Sequence, residues 1–413
     1  MSSPVSKPAA AGASQAAGAI ALEQRYGAHN YAPLPVTLVR GEGAWLWDSH
    51  GNKLLDLMGA YSAVSHGHCH PRLVQVAREQ VGELCITSRA FHSEWLGPFL
   101  QRACELTGMD RALPMNSGAE AVETALKAAR KWAYANRGVP EGQAEILAMG
   151  GNFHGRTTTI VSFSSEYQYK AGFGPGMPGF GLVPFGNAEA LERAITPYTA
   201  AVLVEPIQGE NGIVIPPTGW LREVARICRE HQILLLVDEI QTGLGRTGRM
   251  LACDHEGVKP DGLMLGKALG GGILPVSMFL ARDDVMDVFT PGDHGSTFGG
   301  SVLAARVGLE ALNVLVDEHL SERSAEHGDY FLNALREISH PAIRQVRGRG
   351  LFIGIEFYPD KLSARHFCEV LLKYGALSKD THDTVARICP PLVISRAEID
   401  EALRRIRAAL AEC

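Results

Sequence analysis

Lys267 stands just past the short apolar run Leu263-Met264-Leu265, with Gly266 before it and Gly270-Gly271-Gly272 soon after. An ammonium group is costly in apolar surroundings, and burial lowers its pKa. A lysine held that way is a candidate amine nucleophile, the kind that forms a Schiff base with a carbonyl compound. The alternative is a surface lysine whose stem lies on apolar neighbours. Asp238 follows a second apolar run, Ile233 to Val237, where an acid is either a satisfied strand-end carboxylate or the partner of a buried cation. Ser117 opens a helical stretch with Glu120 three residues on, the spacing of a capping box. Small residues there leave backbone N–H groups accessible, and the helix dipole favours an anion. An aldehyde anchor, a carboxylate for a ring nitrogen and a phosphate cradle are the three handles of pyridoxal phosphate.

Elements must carry these residues. Val36 to Asp56 alternates apolar and polar residues around a turn at Asp48 to Asn52, which predicts a hairpin or meander. Helical spacing runs from Pro71 to Glu83, from Ser117 to about Ala135 and from Trp220 to His231. Apolar runs at Ile146–Met149, Ala200–Val204, Ile233–Val237, Leu263–Leu265 and Val276–Leu280 read as strands. Apolar strands separated by helices imply a mostly parallel sheet covered by helices on both faces. Ligands of such folds sit beyond the carboxyl ends of the strands, which singles out Glu205, Glu210, Asp238, Gln241 and Lys267. From about Arg306 the chain turns to charged amphipathic helices, a strand-rich stretch (Ile343 to Phe357) and a last helix from about Ser395, predicting a smaller α/β domain. The expected division is a disordered tail (1–20), an N-terminal segment (21–60), a large domain (61–305) and a small domain (306–413).

Other chemistries are set aside. With 413 residues and 46% hydrophobic content the chain can bury a large core, and a net charge of -6 argues against a nucleic-acid partner. No apolar run approaches membrane-spanning length. Eight scattered cysteines without a C-x-x-C pair suit a reducing compartment, so a cytoplasmic setting is expected. His66, His68 and His70 alternate as metal ligands on a strand might, but Gly67 and Pro71 argue for a turn, and no metal is expected. Gly243-Leu244-Gly245-Arg246-Thr247-Gly248 fits G-x-G-x-x-G, yet Asp238 to Thr242 separate it from its strand and no clear helix follows. The nucleotide reading fails.

Six ordered blocks go further: Tyr26 to Tyr31, Pro114 to Glu120, Gly151 to Arg156, Glu205 to Glu210, Asp238 to Gly243 and Gly295 to Gly300. On these the chain resembles the class III (subgroup II) aminotransferases of PLP fold type I, from about Tyr26 to Leu410. The resemblance implies a large domain with a mostly parallel sheet and a smaller α/β domain built from the C-terminal part and an N-terminal segment. It implies pyridoxal 5'-phosphate held by Lys267, which would also shuttle a proton. Asp238 would keep the ring nitrogen protonated, Gln241 would bond the phenolic oxygen, and Phe153 would stack on the ring. Gly118 and Ala119 would bind the phosphate with Ser117 near, and Thr297 would reach the phosphate of a neighbouring subunit, so the active unit is expected to be a homodimer or larger.

The implied activity is amino transfer to 2-oxoglutarate, with the δ-amine of L-ornithine as expected donor. Arg156 would hold a carboxylate far from the reacting carbon, Arg387 the α-carboxylate of glutamate or 2-oxoglutarate, and Glu210 would cover Arg387 when ornithine is bound. Tyr31 would contact ornithine's α-amino end, and Tyr61 would line the pocket. The rivals are acetylornithine or 4-aminobutyrate as donor, a racemase or epimerase on the same fold, and a non-catalytic binding protein. The chain departs from the family at Ser65-His66, where Asn-Gln is usual, at Ser301-Val302, where Asn-Pro is common, and at Ile388-Cys389, where Phe-Ala is usual.

Overall fold

The structure is a computed structural model that describes residues 9–413. The part of the expected tail at residues 1–8 lies outside the described residues. Residues 9–20 of that tail belong to the helix Ala9–Tyr26. Alanine is the strongest helix former, and this stretch is rich in it.

A meander of β1 (Leu38–Glu42), β2 (Trp45–Asp48) and β3 (Lys53–Asp56) comes next, as the alternation predicted. The central sheet contains β4 (Arg111–Met115), β5 (Glu145–Met149), β6 (Phe180–Val183), β7 (Thr199–Val204), β8 (Leu234–Asp238), β9 (Gly262–Leu265) and β10 (Ser277–Ala281). Its order is β4-β10-β9-β8-β7-β5-β6, and β10 alone runs opposite to the other strands. The edge strands β4 and β6 carry no long apolar run and were not foreseen.

Period-two alternation sends successive residues of β8 to opposite faces. Leu234 and Leu236 meet the helix Gly118–Asn136 through Ala121, Val122 and Ala125. Leu235 and Val237 meet Val224 and Ile227 of the helix Trp220–Glu230. Each such aliphatic side chain, fully buried, contributes roughly 1.5–3 kcal/mol. Two covered faces leave β8 and β9 no freedom to shift register, and that rigidity fixes Asp238 and Lys267 at their ends.

The C-terminal part contains β11 (Ile343–Arg349), β12 (Phe352–Phe357), β13 (Ala376–Leu377), β14 (Lys379–Thr381) and β15 (Val385–Ile388). Four of these make the sheet β11-β12-β15-β14, whereas β13 joins the N-terminal meander, pairing parallel with β3 at Leu55 and Asp56.

The Gly243–Gly248 run is a turn, and Arg246 at its centre is fully buried. The guanidinium donates to Leu351 O (3.0 Å), Pro390 O (2.6 Å) and Ser65 Oγ (3.0 Å), so the motif seats a structural arginine. The alternating histidines go separate ways: His66 donates to Ala311 O at 2.9 Å, His68 bonds Asp56 at 2.7 Å and His70 bonds Glu318 at 3.0 Å. Among the described residues no cluster of His, Cys, Asp and Glu could hold a metal, and no helix is long and apolar enough to cross a membrane.

Candidate active site

A cleft opens beyond the carboxyl ends of β7, β8 and β9. Gly118, Ala119, Phe153, Glu205, Asp238, Gln241 and Lys267 all line it. Beside it, Ser117 Oγ accepts from Glu120 N while the Glu120 carboxylate takes the Ser117 N–H, completing the predicted capping box. The cap consumes the Glu120 N–H and leaves those of Gly118 and Ala119, first-turn donors without intrahelical partners, available to an anion. A Cβ at Gly118 would meet the Ile240 side chain at 3.0 Å, so glycine keeps this approach open.

Lys267 has a left-handed φ of 46°, a strained value for a residue with a side chain, directly after β9. Burial is the main cause that lowers the pKa of its amine, against the opposing pull of Glu210, Asp238 and Glu205. Asp238 is 5% exposed; its Oδ2 accepts from His154 Nδ1 at 2.7 Å and its Oδ1 from Ile240 N at 3.0 Å. His154 is buried, which works against its charge, but Asp238 and Glu205 overcome that and raise its pKa. Its Nε2 has no hydrogen-bond partner among the described residues. Glu205 accepts the Phe153 N–H at 2.9 Å, and burial pushes its carboxyl up to about 7. Sequence reasoning assigns His154 no role and Glu205 only a place after a strand. His154 and Asp238 stand 84 positions apart, which hides their contact from any local pattern.

On the substrate side, Arg387 of β15 is 4% exposed and donates from Nη1 to Glu210 Oε1 at 2.6 Å. Its guanidinium lies 4.6 Å from the centre of the Tyr61 ring. Tyr61 sits in a turn where Ala60 and Tyr61 have φ of 46° and 60°, and the Tyr61 carbonyl is in long 3.5 Å contact with Gln241 Nε2. A Cβ at Gly209 would overlap the Gln241 amide oxygen, so glycine next to Glu210 is what lets Gln241 reach the cleft. Arg156 is exposed, with its guanidinium 4.1 Å from the centre of the Tyr169 ring. The sequence did not single out Tyr169, which lies on a short polar helix without periodic signal.

The structure thus gathers Lys267, Asp238, Gln241, Phe153, Gly118 and Ala119 into one cleft and joins Glu210 to Arg387. Ser117 caps from an exposed position. Tyr31, 74% exposed, and Thr297, also exposed, do not line the cleft. The donor set fits pyridoxal phosphate: an amine of lowered pKa, a buried carboxylate hydrogen-bonded to an imidazole, an aromatic face and two N–H groups at a helix start.

A family model described as Aminotransferase class-III matches residues 26–410. The ornithine aminotransferase of Geobacillus sp. (strain WCH70) is 54% identical over 392 residues, covering 95% of this chain and 98% of that protein. The crystal structure of the ornithine aminotransferase from Toxoplasma gondii ME49 superposes with a TM-score of 0.94 at 44% identity, covering 96% of this chain and 95% of that one. Acetylornithine aminotransferase from Elizabethkingia anophelis superposes with a TM-score of 0.88 at 42% identity, covering 96% of this chain and 99% of that one.

Proposed function

The chain belongs to the class-III aminotransferases, and we propose that it transfers the δ-amino group of L-ornithine to 2-oxoglutarate. The products are L-glutamate and glutamate 5-semialdehyde, which cyclises to pyrroline-5-carboxylate. Pyridoxal phosphate is the cofactor. When bound, it supplies an aldehyde that condenses with amines and a ring that takes up the electrons of a substrate carbanion.

In this reading Lys267 holds the cofactor, then takes a proton from the substrate carbon and returns it nearby; burial lowers the pKa of its amine, which favours the neutral form that this work needs. Asp238, held by His154, accepts the ring N–H. Gly118 and Ala119 hold the phosphate through their N–H groups, Phe153 lies on the ring face, and Gln241 serves the phenolic oxygen. Thr297 completes the site of a second copy, which makes a homodimer or larger assembly the active unit. A cytoplasmic setting is part of the proposal, resting on eight free cysteines.

The ion pair between Glu210 and Arg387 carries the choice of substrate. Ornithine reacting through its δ-amine brings no carboxylate near Arg387, and a bare guanidinium there would favour the α-amino orientation. Glu210 occupies it instead. 2-Oxoglutarate brings an α-carboxylate that takes Glu210's place, and Arg156 holds the far carboxylate in both half-reactions. Tyr31 reads ornithine's α-amino end, and Tyr61 limits the pocket beside Arg387. The test is product analysis with ornithine, N-acetylornithine or 4-aminobutyrate, each with 2-oxoglutarate. Faster pyrroline-5-carboxylate formation from ornithine than turnover of either rival is expected; the reverse ranking overturns the assignment.

A further inference from the structure

Arg156 has a second relationship that substrate binding alone does not explain. It is exposed on the loop after β5, and among the described residues ring faces rather than carboxylates brace it. The guanidinium carbon lies 4.1 Å from the centre of Tyr169 and 5.6 Å from that of Phe153. Tyr169 meets Phe153 edge-on, with centroids 6.0 Å apart and planes at 78°.

We propose that Tyr169 is a positioning residue that presets Arg156 for the carboxylate farthest from the reacting carbon. This rests on the proposed function, which gives Arg156 that carboxylate. The argument is geometric. A guanidinium presents its five N–H donors around its rim and only π density on its faces. A carboxylate partner would occupy the rim and compete with substrate. An aromatic face fixes the plane and leaves the whole fork free. Arg156 would otherwise lose much rotamer freedom on clamping a ligand, and holding it beforehand removes that cost from binding.

Tyr169 is built for this role. On the helix Tyr167–Lys170, Tyr167 is 83% exposed while Tyr169 turns inward and is half buried. The hydroxyl of Tyr169 feels the charges of Arg156, Glu210 and Arg387, so its ring lies among the groups that face substrate. Its edge contact with Phe153 ties the same residue to the cofactor's stacking face. One aromatic therefore sets the spacing between the ring clamp and the distant carboxylate clamp.

The test compares the holoenzyme with Tyr169→Phe, Tyr169→Leu and, as a second non-aromatic variant, Tyr169→Gln. KM and kcat are measured for 2-oxoglutarate, and the Kd of glutarate, a dicarboxylate that cannot react, by calorimetry. Losing one cation–π contact should raise KM and the glutarate Kd together by roughly 3- to 30-fold in the leucine and glutamine variants. Their kcat should stay unchanged, the signature of lost uniform binding, and the phenylalanine variant should match wild type. Unchanged KM and Kd, a fall in kcat alone, or a phenylalanine variant as weak as leucine overturns the proposal. Wild-type enzyme that makes no pyrroline-5-carboxylate from ornithine counts against the proposed function; normal wild-type turnover with unaffected variants counts against Tyr169 alone.

Discussion

Arg387 is engaged twice over: Nη1 donates to Glu210 Oε1 at 2.6 Å, and the guanidinium lies 4.6 Å from the centre of the Tyr61 ring. It is 4% exposed, so a charge left unpaired there would be costly. Any anion that binds Arg387 must first displace Glu210, and that makes the carboxylate a selector. For Glu210→Ala we expect kcat/KM for glutamate as donor to rise relative to ornithine by roughly tenfold or more, the scale of one charge-assisted bond. Steady-state rates with each donor measure it. A wild-type ratio in the variant would remove Glu210 from substrate selection.

Lys267→Ala should lower turnover by more than roughly 10³-fold, because both the nucleophile and the proton carrier are lost. The Gly118 and Ala119 N–H groups and Asp238 remain, so the cofactor should still co-elute with the variant on gel filtration. Turnover near wild type would refute the assignment of Lys267.

Glu205 predicts a loss of stability with rising pH in the cofactor-free protein. Its carboxyl is pushed up from 4.5 to about 7, so between those values the unfolded chain gives up a proton that the folded one keeps. His154 acts in the same direction: its raised pKa brings stability that is present below 6.5 and fades as pH climbs through the folded value. Glu205→Gln still accepts the Phe153 N–H but cannot ionise. Urea unfolding between pH 5 and 8 should show the variant gaining up to about 3 kcal/mol on wild type. Parallel pH profiles would mean that Glu205 does not titrate in this range.

His66 predicts the opposite limb. Burial holds its pKa down at about 4 against an ordinary 6.5, so the unfolded state takes up a proton first as pH falls through that window. Stability present above pH 6.5 should drop by on the order of 3 kcal/mol by pH 4. Glutamine in His66→Gln can still donate to Ala311 O and cannot charge. Thermal unfolding at pH 4.5 and 7 should find the variant less acid-sensitive; equal sensitivity would place the acid limb elsewhere.

Legibility followed the range of the physics. β8 and β9 are covered on both faces, so they read as continuous apolar runs, and the polar residues after them stood out. The edge strands lack that signal: β4 contains Pro114, and β6 exposes Leu182 at 44%. The capping box was readable because its two partners lie three residues apart. Glu210 and Arg387 are 177 residues apart, and only the resemblance to a family joined them in advance. Nothing joined His154 to Asp238 or Tyr169 to Arg156, because each contact exists only once loops have been folded together. The glycine-rich run at Arg246 had the reverse history: its pattern suggested a ligand loop, and burial revealed a staple.

The parallel pairing of β3 with β13 also bears on how the protein is made. Leu55 leaves the ribosome roughly 320 residues before its partner Ala376, a wait of about 15–65 s at ordinary elongation rates. Throughout that interval the β3 edge of the meander is unpaired, and Leu54, Leu55 and Leu57, at most 4% exposed in the finished fold, lack their final cover. The central sheet has all its strands by Ala281, so its assembly can precede closure of the meander. Nascent chains stalled before Ala376 should therefore recruit chaperones through this segment, and the growing polypeptide is most vulnerable to aggregation there.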